Sequence, residues 1–224
     1  MMVLGVLVDA GEYLIANWPR FTELLTEHLQ LVLVSELVAI GIALPLGVAA
    51  TWNDRASSVI TTLGNVAQTI PTLAVIALVF PILGLGFRPA LVGLAVYALL
   101  PILTNTVAGL ESVDDGTVEA ARGMGMTRWE VLKNVRFPQA VPVIFAGIRT
   151  SVVLNVGTAY LAFFIGGGGL GVWVIGGIKL FSTAQLLAGA IPGALLAVAL
   201  DAGLALVERR VGATETPDGV AAAG

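Results

Sequence analysis

Five long apolar runs constrain what this chain of 224 residues can fold into. They cover about Leu29–Trp52, Val59–Leu83, Ala90–Leu110, Ala140–Ile165 and Ala184–Val207. Each matches the roughly 20 mainly apolar residues that a helix needs to cross a bilayer core. No water satisfies a backbone amide inside hydrocarbon, so a spanning run must close its own hydrogen bonds as a helix. The expected fold is an all-α integral membrane protein with a five-helix core. Composition agrees: 57% of residues are hydrophobic and 12% charged, and mean hydropathy is +0.95. A water-soluble globule, in which about a quarter of residues are charged, is excluded.

Polar punctuation divides the chain. Asn53-Asp54-Arg55 turns the first run into the second, and Gly84-Leu85-Gly86-Phe87-Arg88-Pro89 turns the second into the third. The stretch Val3–Trp18 is too short to span, is interrupted by Asp9 and Glu12, and lacks the basic start of a signal peptide. It reads as an interfacial helix, followed by polar, amphipathic residues 19–28, so that 1–28 form an N-terminal segment. Residues 29–210 form the membrane domain, which carries one long polar segment at 111–138. Residues 211–224, rich in Gly, Ala, Thr and Pro, read as a disordered tail. Trp18 and Trp52 fall at expected interfaces, where amphipathic rings anchor helices. Pro45, Pro71, Pro101 and Pro192 are expected to shape kinks.

Charge and residue inventory remove several function classes. The net charge of -4 offers no basic field for a phosphate backbone, so nucleic acid is not an expected partner. There is no Cys, and a lone His28 beside the first run cannot assemble a histidine metal site. His28 is expected at the interface. An intramembrane enzyme would need a nucleophile with its base, or paired carboxylates on one helix face. Neither pattern is visible. If segment 111–138 is cytoplasmic, seven Lys and Arg lie inside against three outside, which puts the N-terminus outside and the C-terminus inside.

That segment carries the most information. Asp114 or Asp115 can cap a short helix through Glu119-Ala120-Ala121-Arg122, which Gly123 and Gly125 then end. Thr127-Arg128-Trp129-Glu130 has the spacing of a capping box, so a second helix should begin there and stop before Pro138. Small side chains and a glycine turn permit close approach to another backbone. Such an element suits docking in a partner's groove, with Glu119 and Arg122 as rim charges.

The residues Glu119-Ala120-Ala121, Gly125, Val135 and Phe137-Pro138 resemble the signature of permease subunits of ABC importers, at that family's spacing and with Val135 for Ile and Phe137 for Leu. The resemblance covers roughly residues 25–210 and implies an inner-membrane, multi-pass permease. It further implies that the loop is a coupling helix docked on a separate ATP-binding subunit, with Glu119, Ala120, Ala121, Arg122, Gly125 and Pro138 in that contact. The chain has no phosphate-loop motif of its own, so hydrolysis belongs to the partner and no cofactor is expected here. An extracellular substrate-binding protein and a second permease, identical or related, complete the implied assembly within the bilayer.

Three further stretches, Gln68–Ala74, Pro101–Thr106 and Gly157–Ala162 leading to Gly166–Gly171, resemble permeases of osmoprotectant importers. That resemblance implies glycine betaine, choline, carnitine or proline betaine as cargo, with an amino acid or another small solute as the alternative. A quaternary ammonium group needs acceptors and aromatic faces rather than donors. Polar residues within the runs are Glu36, Gln68, Asn105, Asn155, Thr158, Tyr160 and Asp201, and these are the candidate pathway residues. The alternatives are helix-to-helix hydrogen bonding for the amides, pairing with Arg149 or a subunit-interface group for Glu36 or Asp201, and a place near the outer interface for Glu36. A passive channel would explain buried polar groups but not the loop.

Overall fold

A computed structural model of the protein describes residues 2–67 and 69–212, and every regular element among them is helical. In order these are α1 (Met2–Ala16), α2 (Trp18–Ala50), α3 (Asp54–Ala67), α4 (Thr72–Leu83), α5 (Phe87–Glu111), α6 (Asp115–Gly123) and α7 (Arg128–Val131). A π-helical turn, Leu132–Arg136, then leads into α8 (Phe137–Thr158). A 3₁₀ segment, Ala159–Ile165, follows, and α9 (Gly171–Lys179) and α10 (Thr183–Gly212) complete the chain.

Among the described residues four stretches are long and apolar enough to cross a membrane: Trp18–Ala50, Phe87–Glu111, Arg128–Ile165 and Thr183–Arg210. The expected span Val59–Leu83 is instead two pieces, α3 of 14 residues and α4 of 12. Pro71 is the cause. It offers no amide hydrogen, holds φ -58 and ψ 131, and disfavours helix in the residue before it. Residues 19–28 also differ from expectation: they are the opening turns of α2, whose 33 residues reach about 50 Å, so no break occurs at position 28. Pro19 near the N-terminus of α2 is tolerated because an amide in the first turn has no helical partner anyway. At the other end of the chain, α10 continues through Gly212, and the remainder of the expected tail lies outside the described residues.

Helix α5 is the centre of the bundle and packs against α2, α3, α4 and α8. Small residues set these distances. A Cβ on Gly47 would lie 2.6 Å from the Thr106 methyl, and one on Gly147 would lie 2.9 Å from the Pro101 carbonyl, so α2 and α8 approach α5 closely only because both are glycine. Around these contacts Ala39, Ala98, Ile102, Leu110, Ala140 and Ile144 form one buried cluster. A second cluster, including Leu31, Ile76, Leu94 and Val156, fills the other half of the bundle. Only 6% of the apolar window of α10 is buried, so its outer face requires an apolar surround.

Candidate functional site

The loop between α5 and α8 is a small folded unit. The Asp114 carboxylate accepts the Thr117 amide at 2.9 Å and caps α6. At the other end, Gly125 N–H bonds to the Arg122 carbonyl and Met126 N–H to the Ala121 carbonyl. This is a Schellman closure, which needs a left-handed residue at Gly125, and φ there is +89. The Thr127 amide donates to Glu130 Oε2 at 2.7 Å, while the Glu130 amide donates to Thr127 Oγ1 at 3.3 Å. Both halves of the expected capping box are therefore present. Val113, Val118, Ala121 and Val131, with Met126 and Val135 beside them, give the unit its own apolar core.

This packing sorts the loop residues. Ala121 points inward and holds α6 down, whereas Glu119, Ala120 and Arg122 are exposed. Met124 and Trp129, not among the expected contact residues, are 74% and 59% exposed and add large apolar groups to the outer surface. Their signal was available: two bulky apolar residues in an otherwise charged, helix-capped stretch. Pro138 does not stop the second helix as expected. The chain widens into the π turn, where the Phe137 amide bonds to the Leu132 carbonyl five residues back. Pro138 then falls in the first turn of α8, where its missing N–H is tolerated. Consequently α7, the π turn and α8 run on without interruption from Arg128 to Thr158.

The polar residues of the spans do not gather in one place. Glu36 and Asn155 do meet: Ser151 Oγ and Asn155 Nδ2 lie 3.2 and 3.3 Å from Glu36 Oε2, and Asn155 also donates to Ser35 Oγ at 2.8 Å. Ser151 donates to the Ala98 carbonyl at 2.8 Å. This buried seam joins α2, α5 and α8. Asn105 turns its amide to the Pro101 carbonyl of its own helix, and the Thr158 hydroxyl does the same with Leu154. Asp201 pairs with Arg149, which reaches Glu208 as well. Gln68 lies outside the described residues.

His28, expected at an interface, is fully buried. Its Nε2 lies 3.1 Å from the Val156 carbonyl, and its ring lies 4.9 Å from that of Tyr160. The Tyr160 hydroxyl donates to the Gly189 carbonyl at 3.2 Å. Next to this cluster the Gly169 amide donates to Glu27 Oε2 at 2.8 Å. The glycine run is therefore a close-packed turn clamped by two neighbouring residues of α2. Trp18 and Trp52 stand exposed at the two ends of that helix.

Long lipid-compatible helices, an interrupted hairpin and a capped, folded loop leading straight into a spanning helix define a polytopic membrane protein. The chain belongs to the family of binding-protein-dependent transport system inner membrane components, whose pattern matches residues 41–213. It is 42% identical over 194 residues to a glycine betaine/carnitine/choline transport system permease protein, OpuCB, of Bacillus subtilis, covering 87% of this chain and 88% of that protein. It is 39% identical to the osmoprotectant import permease protein OsmW of Salmonella typhimurium, covering 87% and 93%. Among solved structures, an inward-facing conformation of the MetNI methionine ABC transporter superposes with a TM-score of 0.71 over 88% of this chain and 97% of that one, at 23% identity. The chain thus has the fold of an ABC importer permease and is an inner-membrane component.

Proposed function

We propose that this permease moves a quaternary-ammonium osmoprotectant (glycine betaine, choline, carnitine or proline betaine) into the cytoplasm, driven by a separate ATP-binding subunit. The observation that carries the reading is the identity of 42% and 39%, over most of both chains, to permeases named for such cargo. The methionine transporter shares the fold at 23% identity, which supports no cargo assignment.

In this reading the exposed face of α6, with Glu119, Ala120 and Arg122, docks on the ATPase, and Gly125 sets the turn that presents it. Since α7 and α8 are continuous through the π turn, a push on the loop displaces α8 directly. Two ties carry that displacement onward: the Glu36 seam to α2 and the Arg149–Asp201 pair to α10. Pro138 sits where the stroke enters the membrane. The loop faces the cytoplasm, the N-terminus lies outside, and an extracellular binding protein delivers the cargo. A second permease, identical or related, covers the open face of α10 and supplies the other wall of the pathway. Glu36, Asn155 and Asp201 act as ties between helices, and Tyr160 with the glycine turn braces the outer end of α8.

Uptake of labelled glycine betaine, choline, carnitine and methionine by cells supplied with all subunits tests the assignment. Uptake of at least one quaternary amine, lost when the ATPase is inactivated, is expected. Methionine uptake without any quaternary amine would refute it.

A further inference from the structure

We infer that the cavity beside the docking loop is a binding site for a phosphate-bearing anion. The cavity, about 710 Å3, lies between the α2–α3 turn, the end of α5 and the loop. Arg122 of α6, Arg128 of α7 and Arg136 of the π turn all line it. Helix α3 adds the hydroxyls of Ser58, Thr61 and Thr62, beside Ser57, whose own hydroxyl donates to Glu111.

The donors here exceed the acceptors. Among the described side chains the ion pairs involve only Arg20 and Arg149, so Arg122, Arg128 and Arg136 form none with the described carboxylates. The Arg136 Nε is buried and has no hydrogen-bond partner. Leaving such a charged donor unfilled is costly, and an anion in the cavity would fill it. Two carboxylates share the lining, but Glu111 accepts the Ser57 hydroxyl and Asp115 sits in the first turn of α6, where the helix dipole favours it. Three planar guanidinium forks with several hydroxyls match the many oxygens of a phosphate group. Conversely, the same three cations repel a quaternary ammonium group, so the site is not part of the cargo pathway. The cavity is large enough for an organic phosphate, and the exposed Trp52 on its rim is a residue type common at headgroup level.

Two sources supply this chemistry: the headgroup of an anionic phospholipid, or a soluble phosphate. Either would bridge α3 to the loop and so stiffen the docking element. Purified full-length protein in neutral detergent separates them. Native mass spectrometry with phosphatidylglycerol against phosphatidylcholine reads lipid retention, and phosphorus NMR with inorganic phosphate and glycerol 3-phosphate reads soluble binding. At least one phosphate probe should bind in preference to phosphatidylcholine. The double variant Arg128→Gln/Arg136→Gln should weaken that binding by about tenfold or more, the worth of a lost charge-assisted hydrogen bond. Ser58→Asp leaves all three arginines in place but adds a negative wall; it should weaken binding similarly without lowering the melting temperature, which separates charge from misfolding. Retention of the lipid alone assigns the headgroup, and binding of soluble phosphate alone assigns the solute. Absence of any phosphate preference, or binding that neither variant changes, overturns the inference.

Discussion

Arg149 of α8 grips Asp201 of α10 with two edges of its guanidinium, Nε to Oδ1 at 2.9 Å and Nη2 to Oδ2 at 3.2 Å. The remaining Nη1 reaches Glu208 at 3.0 Å, one further pair of turns along α10. A fork held at three points fixes the rotation of α10 about its axis as well as its distance from α8. Asp201→Asn should therefore lower transport several-fold while the subunit still inserts and assembles. Exchanging the charges, Arg149→Asp with Asp201→Arg, should recover part of that loss. Uptake by the single and double variants checks this, and equal activity in every variant would remove the pair from the mechanism.

Gly125 closes α6 at φ +89 with open space where a Cβ would stand. Backbone strain alone, about 1–2 kcal/mol for a residue with a Cβ, therefore opposes Gly125→Ala. Asn tolerates this region better, so the expected order of coupled uptake is Gly, then Asn, then Ala. Gly125→Asp adds a charge at the surface proposed to meet the ATPase and should abolish uptake with membrane insertion intact. The comparison of uptake with membrane-fraction yield tests the order; undiminished uptake by Gly125→Asp would contradict it.

The Glu36 seam predicts a different pattern. Glu36→Gln keeps an acceptor for Ser151 and Asn155 and should be mild. Glu36→Leu removes the acceptor that Ser151 and Asn155 share across the helices, leaving them only the Ala98 carbonyl and Ser35 Oγ at a site 4% exposed, and should cost about 0.5–2 kcal/mol, as interhelical hydrogen bonds in membranes do. Denaturation of the reconstituted subunit in mixed micelles measures it. Equal stability of the two variants would mean that the seam contributes shape and no hydrogen bonding.

Packing of α8 on α5 depends on Gly147, whose added Cβ would meet the Asn105 Cβ at 2.5 Å and the Pro101 carbonyl at 2.9 Å. A backbone carbonyl cannot rotate away, so Gly147→Ala should force the helices apart at about 1–3 kcal/mol. By contrast, Gly41 and Gly157 have nothing within 4 Å and should accept Ala with little change. Thermal stability of the three variants in detergent distinguishes them.

What could be read from the chain beforehand follows the range of the interactions. The caps on α6 and α7 join residues three apart, Asp114 to Thr117 and Thr127 to Glu130, so residue order alone exposes them. The spans were legible as average hydropathy and Pro71 as a kink, but neither shows that Pro71 splits its run into α3 and α4 while Pro45, Pro101 and Pro192 lie inside continuous helices. The π turn before Pro138 was equally hidden, since widening by one residue leaves no mark in composition. Contacts made across the bundle were out of reach. His28 meets Val156 across 128 residues and Glu36 meets Ser151 across 115, so their burial depends on a packing that no local pattern encodes.

The central claim is that α6 receives the stroke of an ATP-hydrolysing partner and passes it through α7 to α8. The chain has no native cysteine, so one introduced as Ala120→Cys on the exposed face of α6 gives a single crosslinking point. Paired with a cysteine in the cleft of the ATPase subunit, it should form a disulfide under oxidation, halt uptake, and release uptake again on reduction. If a working importer yields no crosslink from any exposed position of α6, or transports at full rate with α6 locked to the ATPase, the claim is contradicted.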